Sequence, residues 1–176
     1  QTVEEFKTTL RKDIDSTEIK RIDEAFKNRL VKKLVQENPV DVPASLLKEQ
    51  KAALIEDFKK RMSEQGMQEG DFADYVQKWD GDFAKTASEM IQSSFLIDKL
   101  AIDHNLAATD ADMDAKFQEF ATQTGMDVAR VREWYATSDK LSRLSYSITE
   151  EKVINMITSK AKVKEVDAKL LKEEQN

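Results

Sequence analysis

The residues best suited to catalysis in this sequence are one histidine and several carboxylates, and there is no cysteine. His104 could act as a general base or a metal ligand only beside a suitable partner, and no spacing indicates one. It falls instead where a helix is predicted to end, and an imidazolium there interacts favourably with the helix dipole. The absence of cysteine excludes a thiolate nucleophile, a thiolate zinc site and a disulfide framework.

An acidic cluster at Asp110, Asp112 and Asp114 has the spacing with which a calcium-binding loop begins. Such a loop also needs Gly at its sixth position and Glu at its twelfth, where this sequence has Ala115 and Ala121. The carboxylates are better explained as favourable charge at a helix N-terminus. Glycine-rich phosphate loops and the HExxH and GxSxG motifs are absent as well. The sequence therefore predicts no enzyme, no cofactor and no metal site.

Composition and charge exclude further classes of function. The net charge of −6 and the pI near 5.0 argue against a nucleic-acid binder, because neutralising phosphates requires a basic face. No apolar run approaches the roughly 18 residues of a membrane span, and no signal peptide is expected. Because the first residue is Gln1 rather than Met, we expect the sequence to be part of a longer protein.

Large apolar and aromatic side chains collect near two breaks in the sequence, and these remain as candidates for function. The first group surrounds a glycine pair and consists of Met62, Met67, Phe72, Tyr75 and Trp79. The second group surrounds an acidic turn and consists of Phe120, Met126, Val131, Trp134 and Tyr135. Either group could form ordinary core between helices, or it could line an open groove that accepts apolar segments of other proteins.

The elements that must position these groups are helices, because good helix formers fill the stretches between sparse Gly and Pro residues. No strand alternation is evident, so the predicted fold class is all-α. The predicted helices cover residues 3–36, a segment from Pro43, about 71–79, about 82–104, a segment after Thr109 to about 123, a short segment after Asp127, and a long segment from Ser138 or Asp139.

The first of these helices is long enough to predict an elongated molecule. Its 34 residues would span roughly 50 Å, against a diameter of about 40 Å for a compact domain of this size. Two apolar stripes lie on nearly opposite sides of it, one with Phe6, Leu10 and Ile14, and the other with Ile19, Ile22, Phe26 and Leu30. Either the helix breaks near residues 15–17, or its two ends pack on different partners. We favour the second interpretation.

Several segments resemble the C-terminal domain of bacterial trigger factor. Segment 34–47 reads LVQENPVDVPASLL and resembles a connection between two helices of that family, in which Asp-Val-Pro precedes a helix that starts with Leu. Segment 3–14 is similar to the helix that leaves the isomerase domain of the family. Segment 131–135, with the sequence VREWY, resembles a short helix bearing aromatic residues, and segment 159–163 resembles the closing segment. The likeness extends over essentially all 176 residues.

The resemblance implies a single trigger-factor C-terminal chaperone domain at residues 1–176, located in the cytoplasm. Its body and two helical arms would hold nascent or unfolded polypeptides without ATP and without covalent chemistry. The implied parts are a long linker-arm helix at 1–37, first-arm and body helices at 43–104, a second arm at 109–160 and a tail at 161–176.

The candidate client-binding residues lie on both implied arms. On the first arm we select Leu54, Phe58 and Met62. On the second arm we select Phe120, Val131, Trp134 and Tyr135, and the resemblance places the first three of these at client-facing positions.

Two parts of the family are missing from the sequence. There is no Gly-Phe-Arg-x-Gly-Lys loop of the kind that docks on the ribosome, and there is no β-rich FKBP-like isomerase domain. The resemblance therefore implies that peptidyl-prolyl isomerase activity and ribosome binding belong to a longer parent protein and not to this chain.

Two alternatives remain open from the sequence. A periplasmic SurA-like chaperone would share a related helical domain, with a signal peptide and a parvulin domain in the full gene. A structural helical spacer or self-assembly module would instead bury the aromatic residues named above. A homodimer is also compatible with the trigger-factor interpretation, since the unfilled grooves of two copies could cover one another.

Overall fold

The computed structural model of the chain describes residues 2–66, 68–136, 139–164 and 166. Within those ranges it is all-α, as predicted, and contains no strand. The helices are α1 (Val3–Glu37), α2 (Ala44–Glu64), α3 (Glu69–Lys78), α4 (Asp80–His104), α5 (Asp110–Thr124), α6 (Val128–Ala136) and α7 (Lys140–Lys160). Met67 and most of the predicted tail lie outside the described ranges, and residues 161–164 are not helical.

The observed helix ends follow the capping signals of the sequence. The Thr109 hydroxyl accepts a hydrogen bond from the Asp112 backbone N–H, and the Asp112 carboxylate accepts one from the Thr109 N–H, so a capping box opens α5. The Asp127 carboxylate accepts a hydrogen bond from the Ala129 N–H at 2.7 Å at the start of α6. Pro43 precedes α2 as its N-cap rather than being its first residue, a shift of one position.

The first helix is continuous from Val3 to Glu37, which excludes the predicted alternative of a break near residues 15–17. A capping box between Thr2 and Glu5 opens it, with the Thr2 N–H donating to the Glu5 carboxylate at 2.8 Å. Residues 3–25 are all exposed, and burial begins with the half-buried Phe26. Val35 is the buried residue of this helix.

The chain separates into two compact units, Gln1–Asp98 and Lys99–Asn176. In the first unit, the segment before α2 is fixed to α4 because the Val40 N–H donates to the Gln92 side chain at 3.2 Å. The ammonium of Lys51 on α2 forms an ion pair with Asp80 at the start of α4. Ala87, Ile91 and Ile97 of α4 are buried.

In the second unit, α5, α6 and α7 pack around one core. That core consists of Met113, Phe117, Ala121, Val131, Tyr135 and Ile148. α5 and α6 contribute all of these core residues except Ile148, which belongs to α7.

Candidate functional site

Two partly exposed aromatic side chains lie over the core of the second unit. Phe120 of α5 and Trp134 of α6 both contact the ring of Tyr135, with ring centroids 5.7 Å and 4.9 Å from it and edge-to-face geometry. Tyr135 in turn contacts Phe117 at 5.4 Å. We call Phe120 and Trp134, together with Val131 and Tyr135 beneath them, the α5–α6 surface.

Burial divides this surface into a base and a face. Val131 and Tyr135 are only 5% and 8% exposed, whereas Phe120 is 38% exposed and Trp134 is 55% exposed. The burial of Tyr135 raises the pKa of its phenol, which keeps the hydroxyl protonated and neutral at ordinary pH. A neutral, well-packed floor of Val131 and Tyr135 beneath two exposed rings suits the binding of apolar groups.

Backbone geometry fixes the connection between α5 and α6. α5 ends at Gly125, whose φ of 69° lies in the left-handed region that glycine adopts without strain. Asp127 then caps α6 through the Ala129 N–H. These two signals turn the chain within a few residues and bring Phe120 of α5 to the ring of Tyr135 in α6, beside Trp134.

A second set of contacts fixes the start of α5 to α7. The Lys152 ammonium donates to the Asp112 carboxylate at 2.8 Å and to the Ala107 carbonyl at 3.3 Å. The Ala108 N–H donates to the Thr149 hydroxyl at 3.0 Å. The hydrogen bonds from Lys152 and from Thr109 hold the pKa of the Asp112 carboxyl well below its usual range, so this carboxylate is ionised and structural.

Two cationic side chains lie over aromatic rings of the second unit. The Lys140 ammonium is 3.8 Å from the centroid of the Trp134 ring, and the Arg132 guanidinium is 5.5 Å from that of Phe117. Arg132 also forms an ion pair with Asp114 at 2.8 Å. The rings are therefore bordered by charge, which keeps exposed apolar surface in small areas.

The first unit carries another aromatic cluster, which we call the α2–α3 surface. Its members are Phe58, Phe72, Tyr75, Trp79 and Phe83. Phe58 lies at its centre, with ring centroids 4.8 Å from Tyr75 and 5.7 to 5.8 Å from Phe83 and Phe72. Tyr75 stacks on Trp79 at 5.9 Å, and both are more than one-third exposed.

The first-arm residues selected from the sequence differ in their surroundings. Phe58 is half-buried and forms the base of the α2–α3 surface. Leu54 and Met62 are also half-buried on α2. Tyr75 and Trp79, the exposed rings of this surface, are not among the client-binding residues that the sequence predicts. Their position just after the glycine pair was the signal that could have identified them.

The candidates for chemistry have ordinary structural surroundings. His104 is exposed in the last turn of α4, where the dipole argument placed it. Asp112 and Asp114 pair with Lys152 and Arg132. Within the ranges that the structure describes, no three acidic or histidine side chains are arranged to hold a metal ion.

No helix among the described residues is both long enough and apolar enough to cross a membrane.

Comparison with known proteins decides the family. The family model for the C-terminus of bacterial trigger factor matches residues 2–159, nearly the whole chain. The chain belongs to the trigger factor family. The trigger factor of Bdellovibrio bacteriovorus is 59% identical over 172 residues. Those of Syntrophotalea carbinolica and Geotalea daltonii are 25% and 28% identical over 171 and 172 residues.

These matches cover 97% to 98% of this chain but only 39% to 40% of the length of the trigger factors concerned. A solved structure of trigger factor domains from Thermotoga maritima has the same fold, with a TM-score of 0.62 at 18% identity. It matches 79% of this chain and 83% of that chain. The resemblance of the chain to the trigger factor family is confirmed, and the match favours trigger factor over the SurA-like alternative.

Proposed function

We propose that this chain is a chaperone domain that binds apolar segments of nascent or unfolded polypeptides through the α5–α6 surface. The observation that carries the proposal is the pair of exposed rings, Phe120 and Trp134, held on the buried ring of Tyr135. Membership of the trigger factor family supports it. The binding involves no covalent change and no ATP, since the surface consists of apolar groups bordered by charges.

The proposed roles of the selected residues follow from their burial. Phe120 and Trp134 contact the client, while Val131 and Tyr135 hold these two rings in place from beneath. In the first unit, Tyr75 and Trp79 contact the client over Phe58. Leu54 and Met62 of α2 are proposed as further contacts of the first unit.

The expected strength of binding is moderate. Burying one large apolar side chain stabilises a complex by about 1.5–3 kcal/mol. Ordering a flexible client segment costs about 2–5 kcal/mol or more, so several anchors are needed at once. We therefore expect micromolar dissociation constants, which correspond to a binding free energy near −8 kcal/mol, and reversible release.

Further proposals concern a longer protein of the length of the matched trigger factors. Its peptidyl-prolyl isomerase activity and its attachment to ribosomes would reside in parts outside this chain, which itself would be no enzyme. Residues 1–176 would form one chaperone domain with the linker, arms and tail outlined above. The cytoplasm is the proposed location, and a homodimer in the absence of client is compatible with the exposed surfaces.

The test compares the double variant Phe120→Ser/Trp134→Ser with the unaltered chain. A chemically unfolded client is diluted into buffer, and its aggregation is followed by light scattering at several chaperone concentrations. Because both side chains are substantially exposed, the variant should stay folded by circular dichroism and lose most of its ability to delay aggregation.

Ile102→Ser is the matched control, because Ile102 is 75% exposed in the same unit and lies outside the α5–α6 surface. This variant should protect the client as well as the unaltered chain does. A folded double variant that protects equally well would refute the site. If the unaltered chain itself gives no protection, the structural self-assembly module becomes the better account.

A further inference from the structure

A polar cleft with a volume of about 280 Å³ lies between α5 and α7 in the second unit. This volume is just below the roughly 300–1,000 Å³ of pockets that take drug-sized ligands. The cleft therefore suits a short stretch of a larger ligand. Its polar lining, which we call the α5–α7 cleft, consists of Asp112, Lys116, Glu119, Glu151, Lys152 and Asn155.

The charged side chains of the cleft pair with one another. The Lys116 ammonium lies 3.2 Å from the Glu119 carboxylate and 3.5 Å from that of Glu151. The Lys152 ammonium lies 2.8 Å from the Asp112 carboxylate. Because every charge of the cleft already has a partner, a charged ligand would have to break an existing pair. The cleft therefore favours an uncharged ligand.

Asn155 is the polar side chain of the cleft that these pairs leave unused. It is exposed, and its carboxamide makes no hydrogen bond to any part of the chain that the structure describes. A carboxamide presents N–H donors and a C=O acceptor side by side, and a peptide unit has the complementary groups. The uncharged ligand that carries such groups whatever its side chains are is a polypeptide main chain.

The cleft adjoins the α5–α6 surface along one edge of α5. Lys116 and Phe120 are four residues apart, so they lie on the same side of α5 and about 6 Å apart along its axis. An extended chain advances about 3.3 Å per residue, so two residues cover that distance. A client with an apolar side chain on Phe120 therefore reaches the cleft with peptide units about two residues away.

We infer that the α5–α7 cleft binds the main chain of the client segment whose apolar side chain contacts the α5–α6 surface. Asn155 forms hydrogen bonds with a peptide unit about two residues from that side chain. The inference rests on the proposed function and adds a second, polar part to the same site. Main-chain hydrogen bonds give affinity without reading the side chains of the client, which suits a chaperone for many sequences.

The test uses a short labelled peptide with an adjacent Phe-Leu pair at its centre and serine and glycine elsewhere. In a second peptide, the peptide bonds two residues from the pair are replaced by esters, which lack the N–H donor. Binding of both peptides to the unaltered chain and to Asn155→Ala is followed by anisotropy. The variant should stay folded, because Asn155 is exposed within α7 and alanine is a good helix former.

Asn155→Ala should weaken binding of the first peptide about three- to tenfold, and the esters should weaken binding to the unaltered chain by a similar factor. Because both changes remove the same contact, the esters should cost little further affinity in Asn155→Ala. Gln118→Ala is the matched control, since Gln118 is an exposed carboxamide of α5 that does not line the cleft. It should bind both peptides as the unaltered chain does.

The outcomes separate this inference from the proposed function. Binding that is weakened by Phe120→Ser/Trp134→Ser but not by Asn155→Ala would overturn the inference and leave the proposed function standing. Losses from the esters and from Asn155→Ala that simply add would overturn the inference as well, because the two changes would then act at separate places. Binding that neither variant weakens would overturn both.

Discussion

Trp134 and Tyr135 are adjacent in the sequence, yet the first is 55% exposed and the second only 8%. Each residue of a helix is turned by about 100° from the one before it, so neighbours cannot both face the core. Val131 and Tyr135 are four apart and therefore lie on the same side, which packs against α5. Trp134 lies at the edge of that side, and for this reason we propose it as a client contact.

Substitution should separate these two roles by their effect on stability. Tyr135→Ala removes a buried ring from the core of the second unit and should lower the free energy of unfolding by about 3–5 kcal/mol. Trp134→Ala should lower it by only about 1 kcal/mol, since the ring is half exposed and its contacts include the edge of Tyr135 and the Lys140 ammonium. Urea unfolding followed by circular dichroism measures both. Equal losses of unfolding free energy in the two variants would contradict the assignment of Tyr135 to the buried base and Trp134 to the exposed face.

Asp112 provides a prediction about pH. The pKa of its carboxyl is lowered in the folded state, so its contribution to stability is complete above the unfolded pKa of about 4. That contribution is lost as the pH falls through the depressed folded pKa. Asp112→Asn should therefore be less stable than the unaltered chain by a constant amount between about pH 5 and 8, and the difference should shrink below about pH 4.

The measurement is the urea midpoint of both proteins across the acid range, with Asp13→Asn, an exposed carboxylate of α1, as the control. A difference that stays constant down to about pH 2 would show that the ionised Asp112 is not what stabilises the start of α5.

The sequence identified part of the candidate site and could not resolve the rest. The sequence predicts Phe120, Val131, Trp134 and Tyr135 together because all four lie beside the same turn. Helical period alone does not say which of them face inward. The exposed pair Tyr75 and Trp79 was noted near the glycine pair but not selected. Its relation to Phe58 arises from packing between α2 and α3, which periodicity within one helix does not contain.

At the scale of the elements, the helices could be predicted because the sequence contains few helix-breaking residues. Four glycines and two prolines leave few places where a helix can end. Thr109 and Asp127 have side chains that cap a helix N-terminus, and Gly125 marks a break between helices, so the limits of α5 and α6 follow from local requirements. The continuity of α1 was not settled by sequence, because two opposite stripes are compatible with either a break or two partners.

Two glycine substitutions test the helix ends. Gly125→Ala places a side chain at a φ of 69°, which should cost about 1 kcal/mol of unfolding free energy although nothing lies within 4 Å of the added carbon. Gly81 lies inside α4 without a positive φ, and its surroundings are equally open. Gly81→Ala should therefore stabilise by about 0.4–1 kcal/mol.

Thermal unfolding of the two variants gives the comparison directly. The melting temperature should fall for Gly125→Ala and rise for Gly81→Ala. A stabilising Gly125→Ala would mean that α5 does not end in the left-handed conformation.

At the scale of the whole molecule, the net charge and the proposed binding mode together predict how the affinity for a client depends on ionic strength. The chain carries a net charge of −6, but we propose that the α5–α6 surface binds clients through apolar burial, which screening by salt does not weaken. Raising the ionic strength from about 0.05 M to 0.5 M should change the affinity for an unfolded client less than about threefold. Fluorescence anisotropy of a labelled client measures this. A tenfold loss of affinity would indicate that charge and not apolar contact drives the binding.

The most direct test uses Trp134 as its own reporter. With Trp79→Phe, Trp134 becomes the single tryptophan of the chain. A permanently unfolded client that lacks tryptophan is added while its binding is followed independently by anisotropy. We predict that the Trp134 emission shifts to shorter wavelength and that quenching by acrylamide falls as the client saturates. Saturating binding with unchanged Trp134 emission and quenching would contradict the account.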